Sequence, residues 1–431
     1  ISGGYDVDGV TSSHLFLTAL RRVGAKVDVV IPHRIQDGYG LSLHLLQQAK
    51  EDGVDTILTC DNGIAAIDEI AWAKAQKMTV LVTDHHAVPF EEHEGRRTEK
   101  KSLADAVVNP HQQDCGYPYK ELCGAGVAWN VIRVLYENYD MDKREAEDLL
   151  DFVAMATVCD VMSLTGENRI LVKEGLKRIR HTKNIGLQAL MQACNVQPEN
   201  ISAYHFGYVL GPCVNATGRL DTARHALRLF ETGQETEAEE IARDLVDLNQ
   251  ERKELTLQGV EMAKKLCEEG GYENDPVLVL FLPDVHESIA GLIAGRIREM
   301  YNRPVFVLTR GEEGVKGSGR STENYSMYEN MCGCAELFTK FGGHPMAAGL
   351  SLPEENVEKF RRKINENCPL TVEEVCPDIH IDMAMPVGYA STELVHQFAL
   401  LEPFGKDNPS PLFADRNLSI SRMWVIGKNR N

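Results

Sequence analysis

The sequence predicts an α/β protein with a parallel-sheet domain, a long connecting helix, a smaller α/β domain and the start of a β-rich module. Short β-like runs alternate with amphipathic stretches through residues 1–170, the pattern of a mostly parallel sheet covered by helices. A charged segment with helical periodicity follows at 222–271, and β-like runs resume after it. A chain of 431 residues is long enough for two or three such domains.

The elements of the first domain follow from the spacing of its apolar residues and from its glycine and proline stops. The predicted strands are KVDVVIP (26–32), DTILTC (55–60), MTVLVT (78–83) and DAVVNP (105–110). The predicted helices are LSLHLLQQAKEDG (41–53), AAIDEIAWAKAQK (65–77), GVAWNVIRVLYENY (126–139) and AEDLLDFVAMATV (146–158).

The later elements follow a long helical segment that Gly270 and Gly271 are predicted to end. A strand PVLVLFL (276–282), a helix SIAGLIAGRIREMY (288–301) and a strand RPVFVLT (303–309) indicate a second α/β domain. KGSGRS (316–321) is predicted to be a Gly/Ser-rich turn, and EPFGKDNPSPLF (402–413) a Pro/Gly-rich junction. We therefore expect domains at 1–190 (truncated at its N-terminus), 191–272 (helical connector), 273–370 and 371–431 (β-rich, incomplete).

The composition limits the class of protein. A net charge of −19 and a pI of about 5.2 argue against broad adhesion to nucleic acid, although they allow a local basic groove beside a carboxylate-rich metal centre. Eleven cysteines, an odd number, predict reduced thiols and a cytoplasmic location. No apolar run approaches the ~20 residues of a membrane helix, so we expect no membrane contact.

Acidic and histidine side chains follow the predicted strands directly. Carboxyl ends of parallel strands meet at one edge of a sheet, where ligands bind. Carboxylate oxygens with one or two imidazoles suit Mn²⁺ or Mg²⁺ better than zinc. Taken singly, Asp-x-Asp-Gly is more typical of a solvated turn, and Asp-His-His of a helix cap followed by exposed histidines. Together they favour a metal centre made of Asp6, Asp8, Asp61, Asp84, His85, His86 and Asp160.

The order YDVDG, CDNGI, TDHH, ATVCDVMSL resembles the DHH phosphoesterase superfamily, and within it the RecJ single-strand exonucleases. The segments NATGRL, LNQERK, KGSGRS and KFGGHPMAAGLSL are similar to the connecting segment and DHH-associated domain of that family, and PFGKDNPSPLF to the beginning of its OB-fold. The resemblance spans nearly the whole chain.

The resemblance implies roles for the acidic and histidine residues. Asp61 would bridge two divalent cations, Mn²⁺ or Mg²⁺; Asp6 would bind one of them, and Asp8, His85 and Asp160 the other. His86 would act catalytically beside the scissile phosphate. Asp84 would orient one of the two histidines.

The resemblance also implies a substrate-binding set in the second half of the chain. Arg219 would face the cleft, and the nucleotide or its phosphates would be held by Ser318, Arg320, Gly342, Gly343 and His344. An arginine forks onto phosphate, and glycines let backbone N–H groups approach one. Without the resemblance, the favoured interpretation would be that Arg320 forms a surface ion pair and that Gly342–His344 form a simple turn.

Gly4 departs from the family pattern, in which this position usually carries an acid. The cation bound by Asp6 should therefore be held more weakly. An altered N-terminus, deliberate inactivation or drift towards a non-catalytic protein would each account for the glycine. The first two are favoured, because every other ligand position is intact.

The leading hypothesis is a metal-dependent 5′→3′ exonuclease that hydrolyses single-stranded DNA to 5′-mononucleotides in repair and recombination. The alternatives are a catalytically impaired single-strand-binding scaffold, a phosphodiesterase of oligoribonucleotides or cyclic dinucleotides, and an inorganic pyrophosphatase. Expected partners are single-stranded DNA and a single-strand-binding protein or helicase, and a monomer is expected.

Overall fold

The computed structural model describes residues 1–33, 37–38, 40–93, 96–272, 275–311, 314–371 and 379–425. The first domain is built on a four-stranded, fully parallel sheet in the order β1-β2-β3-β6. A short antiparallel pair of strands, β4 and β5, is inserted in the chain between β3 and β6 and forms its own two-stranded sheet. The strands are β1 Ser2–Gly3, β2 Thr56–Cys60, β3 Thr79–Thr83, β4 Phe90–His93, β5 Arg96–Glu99 and β6 Ala106–Val108.

The predictions for β2, β3 and β6 are confirmed, but the strand predicted at 26–32 is wrong. Only Val30 forms a parallel bridge there, to Ser2. The pairing there is limited to two backbone hydrogen bonds: the Val30 N–H donates to the Ile1 carbonyl oxygen at 2.8 Å, and the Gly3 N–H donates to the Val30 carbonyl oxygen at 3.2 Å.

Helices cover the sheet and form most of the first core. The long helix α1 is buried along most of its length, and α4 and α6 pack against it. These helices are α1 Val7–Arg22, α2 Leu43–Glu51, α3 Ile67–Ala75, α4 Gly124–Asn138, α5 Lys143–Glu147, α6 Leu150–Cys159, α7 Gly166–Ile179 and α8 Ile185–Ala193. The predicted helices of this domain are confirmed, with the last one divided between α5 and α6.

A helical connector follows, as the periodicity predicts. It contains α9 Ala203–His205, a π-helical turn Phe206–Leu210, α10 Gly211–Leu220, α11 Ala223–Glu231 and the long α12 Glu235–Glu269. Gly270 caps α12 and Gly271 adopts a φ of +70°, which explains why a glycine pair ends this helix.

The second domain has a five-stranded sheet in the order β10-β11-β9-β8-β7, in which only β7 and β8 are parallel. Its elements are β7 Leu278–Phe281, α13 Glu287–Tyr301, β8 Val305–Gly311, β9 Gly314–Arg320, α14 Met327–Cys332, β10 Lys340–His344, β11 Ala347–Leu352 and α15 Val357–Glu366.

The segment predicted as a Gly/Ser-rich turn is instead strand β9. A Cβ on Gly317 would collide with Leu308 and Leu350, and one on Gly319 would lie 2.7 Å from a ring carbon of Phe306. The glycines are therefore explained by large side chains on neighbouring strands rather than by a turn.

The last described elements are β12 Met383–Ala384, α16 Thr392–Phe398 and β13 Phe413–Ala414, with β12 and β13 parallel. The predicted boundary at 370/371 adjoins residues 372–378, which lie outside the described residues, as do 426–431. The described helices include none that combines the length and apolar character of a membrane span.

Candidate metal centre

The acidic and histidine motifs converge because their strands are neighbours. β2 and β3 pair in parallel with Cys60 opposite Thr83, so Asp61 and Asp84 leave the sheet side by side. Both side chains are about 1% exposed. The fold thus brings two of the sequence motifs to one edge of the sheet, as predicted.

Asp61 sits at a strained turn directly after β2. Its φ of +57° lies in the left-handed region, which aspartate and asparagine tolerate better than most residues. Gly124, the first residue of α4, packs against it so closely that an added Cβ would lie 2.7 Å from the Cβ of Asp61. Backbone packing therefore fixes the direction of this carboxylate.

Asp8 is held by the N-terminus of α4. The Gly124 N–H donates to its Oδ2 at 2.6 Å, and the Ala125 N–H donates to its Oδ1 at 2.7 Å. Asp6 caps α1 by accepting from the Gly9 N–H at 3.0 Å. Both aspartates of YDVDG thus accept backbone hydrogen bonds. Both also line, together with Asp160, a cavity of about 300 Å³, called the acidic cavity below.

His85 lies at the centre of the cluster. Its Nε2 is 3.2 Å from Asp61 Oδ1, 3.6 Å from Asp8 Oδ2 and 3.6 Å from Asp160 Oδ2. This buried nitrogen makes no hydrogen bond within the described parts of the chain. Three carboxylates directed at an imidazole nitrogen form a donor set that fits a hard divalent cation.

Asp84 orients His86 rather than joining the cluster. Its Oδ1 lies 2.7 Å from His86 Nδ1 and also accepts from the backbone N–H groups of His85 and His86. Its Oδ2 accepts from the Ile64 N–H at 2.9 Å. The ring of His86 is therefore fixed with Nδ1 towards Asp84, and its side chain remains 39% exposed.

Burial makes the charged forms of this cluster costly. It raises the pKa of Asp8 and of Asp61, where neighbouring carboxylates add to the shift, and raises that of Asp160 to about 8. Burial lowers the pKa of His85. Cations would reverse this balance, because they stabilise ionised carboxylates and neutral imidazole.

The pKa of His86 moves in the opposite direction. Burial lowers it, but the hydrogen bond and charge of Asp84 outweigh burial and raise the pKa of His86 to about 8. The same hydrogen bond and charge hold the pKa of Asp84 below its usual range despite burial of that carboxyl.

A second cavity of about 510 Å³ adjoins the first, and Tyr5 and Arg219 line both. It reaches the second domain, where Ser318 and Arg320 face it from β9 and Gly342 from β10. Arg320 Nη1 lies 3.3 Å from Ser318 Oγ, and Arg219 Nη1 donates to the Ser288 carbonyl oxygen at 2.7 Å.

The structure does not bring every predicted substrate residue to this cavity. Gly343 and His344 continue along β10 beyond Gly342, are exposed, and do not line it. Residues that the sequence analysis did not single out do line it, namely Gly291, Lys316 and Lys340. Lys316 is the first residue of the segment KGSGRS, so the basic residue two positions before Ser318 is the feature of the sequence that could have indicated it.

Asn215 was also missed as a site residue. Its Oδ1 accepts from the Val7 N–H at 3.1 Å, and the residue lines the acidic cavity. It stands in the quoted segment NATGRL, four residues before Arg219 and thus on the same face of α10.

Gly4 faces Asp61. A Cβ at this position would lie 2.6 Å from Asp61 Oδ2 and 3.2 Å from the Cα of Gly9, so an added side chain would have to displace the Asp61 carboxylate. The glycine thus occupies a place from which a longer acidic side chain would meet the cluster.

Comparisons with known proteins agree with this architecture. Residues 1–157 match the DHH family N-terminal domain, 274–368 the DHHA1 domain and 381–431 the RecJ OB domain. The last match confirms that an OB-type module begins near the C-terminal end of this chain, as the sequence predicts.

Known relatives match along nearly all of this chain. It is 35% identical to the single-stranded-DNA-specific exonuclease RecJ of Haemophilus influenzae, over 100% of this chain and 76% of that protein. It is 33% identical to RecJ of Bacillus subtilis over 100% of this chain, which spans about half (53%) of that relative's length. The structure of Thermus thermophilus RecJ in complex with Mn²⁺ matches 96% of this chain and 58% of its own, with a TM-score of 0.80 and 30% identity.

The three domain matches occur in the order expected from the sequence motifs. One relative above 30% identity is covered over three quarters of its length. This chain therefore belongs to the RecJ family of DHH phosphoesterases.

Proposed function

We propose that this chain is a metal-dependent exonuclease that hydrolyses single-stranded DNA from the 5′ end and releases 5′-mononucleotides. The observation that carries the proposal is the continuity of the two cavities, which share Tyr5 and Arg219. The second cavity, lined by Arg219, Arg320, Lys316 and Lys340, is called the basic cavity below. With a terminal phosphate in the basic cavity, the next phosphodiester would lie beside the carboxylates of the acidic cavity.

The acidic cavity would hold two divalent cations, Mn²⁺ or Mg²⁺. We assign Asp61 as the bridging ligand, Asp6 to one cation, and Asp8, His85 and Asp160 to the other. Bound there, such cations would supply an activated water and neutralise negative charge on the phosphate. The buried, preset carboxylates would limit the reorganisation needed at each turnover.

His86 would act on the scissile phosphate. Its Nδ1 is engaged by Asp84, so a proton on Nε2 would be available to the leaving oxygen or to charge on the phosphate. Asp84 would fix the ring in that orientation, as carboxylates commonly do for functional histidines.

The basic cavity would determine the polarity. Ser318 and Arg320 offer hydroxyl and guanidinium donors, and Lys340 adds positive charge near them. Lys316 also lines this cavity, but its ammonium is paired with the carboxylate of Glu287 at 2.8 Å. A terminal 5′-phosphate carries more negative charge than an internal diester, so these groups favour a chain end. Gly342 would bring its backbone close to the same group. Gly343 and His344 would contribute to substrate binding only after a shift of β10.

The remaining predictions belong to the same proposal. We divide the chain into a catalytic domain (1–190), a connector (191–272), a substrate-binding domain (273–370) and the beginning of an OB-fold (371–431). A monomeric state, a cytoplasmic location and recruitment by a single-strand-binding protein or helicase complete it, and DNA repair and recombination would be its setting.

The test uses one oligonucleotide labelled at either end, incubated with the protein and Mn²⁺. The 5′ label should appear at once in mononucleotide, while the 3′-labelled strand shortens progressively. Asp61→Asn should abolish both signals, because it removes a shared ligand yet keeps a residue that tolerates a φ of +57°. Asp68→Asn, at an exposed position of α3, is the matched control and should cleave normally.

Three outcomes would count against the proposal. Progressive shortening of the 5′-labelled strand would reverse the polarity, and equal cleavage of duplex would remove the strand specificity. Strand binding without product, for wild type and Gly4→Asp alike, would favour the scaffold alternative.

A further inference from the structure

Two cysteines that do not line the acidic cavity form a close pair. The Sγ atoms of Cys194 and Cys213 are 3.8 Å apart. Cys194 follows the last residue of α8 and is half-buried, whereas Cys213 lies in α10 and is 2% exposed. The two sulfurs are close enough for a disulfide, which needs about 2.05 Å, to form by side-chain rotation and a small backbone adjustment.

A hydrogen-bond chain from α12 is directed at one of the sulfurs. Asn249 Nδ2 donates to Cys213 Sγ at 3.4 Å. Arg252 forks onto the other end of the same amide, with Nε at 3.1 Å and Nη2 at 2.9 Å from Asn249 Oδ1. The guanidinium therefore fixes the amide with its N–H towards the sulfur and polarises that N–H.

The charges around the pair favour a thiolate. The hydrogen bond with Cys194 holds the pKa of Cys213 below its usual range; the Asn249 amide and the cations of Lys253 and Arg252 act in the same direction, against burial. The same sulfur–sulfur hydrogen bond raises the pKa of Cys194, its donor. Thiolates, not thiols, are the nucleophiles in oxidation and disulfide formation.

These contacts give a role to the segment LNQERK, which the proposed catalytic site leaves unused. Asn249, Arg252 and Lys253 all belong to it and lie on one stretch of α12. A purely apolar pocket for two core cysteines would not require a buried amide that donates to the sulfur, nor an arginine that holds that amide in place.

We infer that Cys194 and Cys213 are an oxidisable dithiol that a peroxide converts into a disulfide linking α8 to α10. The Cys213 thiolate attacks the peroxide O–O bond and becomes a sulfenic acid, and the other oxygen takes the proton of Cys194 and leaves as water. The Cys194 thiolate formed in this way attacks the Cys213 sulfur and displaces its oxygen, which takes up a proton and leaves as the second water. Overall, two thiols and hydrogen peroxide give one disulfide and two waters.

The position of the pair makes the modification relevant to the rest of the molecule. α10 also carries Asn215, which accepts from the Val7 N–H, and Gly218, where an added Cβ would collide with the Tyr5 carbonyl oxygen. The helix that would gain the covalent link is thus packed directly on the N-terminal end of α1, which bears Asp6 as its cap and Asp8 in its first turn.

The test treats the reduced full chain with a modest excess of hydrogen peroxide, blocks the remaining thiols with an alkylating reagent and maps the peptides by mass spectrometry. We expect one linked peptide joining Cys194 to Cys213, lighter by two hydrogens and released by dithiothreitol. It should be lost in Cys194→Ser and Cys213→Ser and kept in Cys332→Ser, a control at an exposed cysteine of α14.

A second variant tests the contribution of the arginine fork. Arg252→Gln should slow formation of the linked peptide several-fold while leaving its identity unchanged, because the Cys213 thiolate loses both a nearby cation and a fixed amide donor. Alkylation of both cysteines after peroxide treatment of the wild type, or linked peptides that join other cysteines instead, would overturn the inference. Neither measurement depends on nuclease activity, so failure here is distinct from failure of the proposed function.

Discussion

Gly124→Ala tests the idea that backbone packing, not only ligand identity, builds the metal centre. The added Cβ would lie 2.7 Å from the Cβ and 3.0 Å from the Cα of Asp61, and 3.0 Å from Asp8 Oδ2. Relaxed carbon–carbon contacts are about 3.5–4.0 Å, so α4 or the end of β2 must move by roughly 1 Å.

The magnitudes separate activity from stability. A displacement of about 1 Å at a catalytic centre can cost ~10²-fold in rate, and we expect that loss in kcat/KM on single-stranded DNA. Overpacking costs ~1–3 kcal/mol, while alanine gains ~1 kcal/mol over glycine in a helix. The net loss in free energy of unfolding should therefore stay below about 2 kcal/mol, so the variant remains folded.

Gly126→Ala is the matched control, two residues further along α4 and equally buried. Its Cβ would meet Leu122 Cδ2 at 3.3 Å, which is the movable end of a side chain. This control should keep its activity and be as stable as wild type or slightly more so. The assay is hydrolysis of labelled single strands, with Mn²⁺ titration and thermal unfolding in parallel. If Gly124→Ala cleaves and binds Mn²⁺ within twofold of Gly126→Ala, the packing argument is refuted.

Three further predictions concern other parts of the molecule. Arg320→Gln should lower kcat/KM about 10- to 100-fold on 5′-phosphorylated strands and much less on 5′-hydroxyl strands, because a charge-assisted hydrogen bond to the terminal phosphate is lost. The control is Arg310→Gln, since Arg310 is paired with Glu354. An equal loss on both kinds of strand would contradict the assigned phosphate site. Gly4→Asp should tighten binding of the weaker Mn²⁺ roughly tenfold or more and destabilise the metal-free protein through repulsion of Asp61, and calorimetry showing an unchanged titration would reject this. Burial, with a smaller effect of Arg21, lowers the pKa of His14 to about 4. The buried neutral imidazole therefore contributes its full share of folding stability above the unfolded pKa near 6.5, and this stability is lost as the pH falls towards 4. Between pH 8 and pH 5 the free energy of unfolding should fall by about 2 kcal/mol through this group. In denaturant titrations, His14→Phe should remove this pH dependence of the free energy of unfolding. Burial raises the pKa of Asp151 to about 6, so wild type loses stability from this group as the pH rises from 4 to 6, and Asp151→Asn should make the overall rise in stability over that range steeper. Identical pH slopes in wild type and both variants would rule out both assignments.

Much of the site could be predicted from the sequence because its geometry is local to strand ends. DTILTC and MTVLVT are short β-branched, apolar runs typical of buried parallel strands, and the residue after each strand emerges at the same edge of the sheet. Residue type then indicates a site for a hard divalent cation, and the individual roles of Asp61, His85 and His86 follow only from the resemblance to the DHH phosphoesterases.

The parts that could not be predicted depend on contacts between distant segments. Asp8 is held by the N-terminus of α4, 116 residues away, and no spacing reveals that contact. KGSGRS has the composition of a turn, yet side chains on neighbouring strands, Phe306 among them, require its glycines.

The most direct test of the account is a calorimetric titration of metal-free protein with Mn²⁺, comparing wild type with Asp61→Asn. The account predicts saturable binding by wild type and loss or severe weakening in the variant, because Asp61 lies against His85 and faces both Asp8 and Asp160 across it. Binding of Mn²⁺ with unchanged stoichiometry and affinity in Asp61→Asn would contradict the claim that this buried cluster is the metal centre.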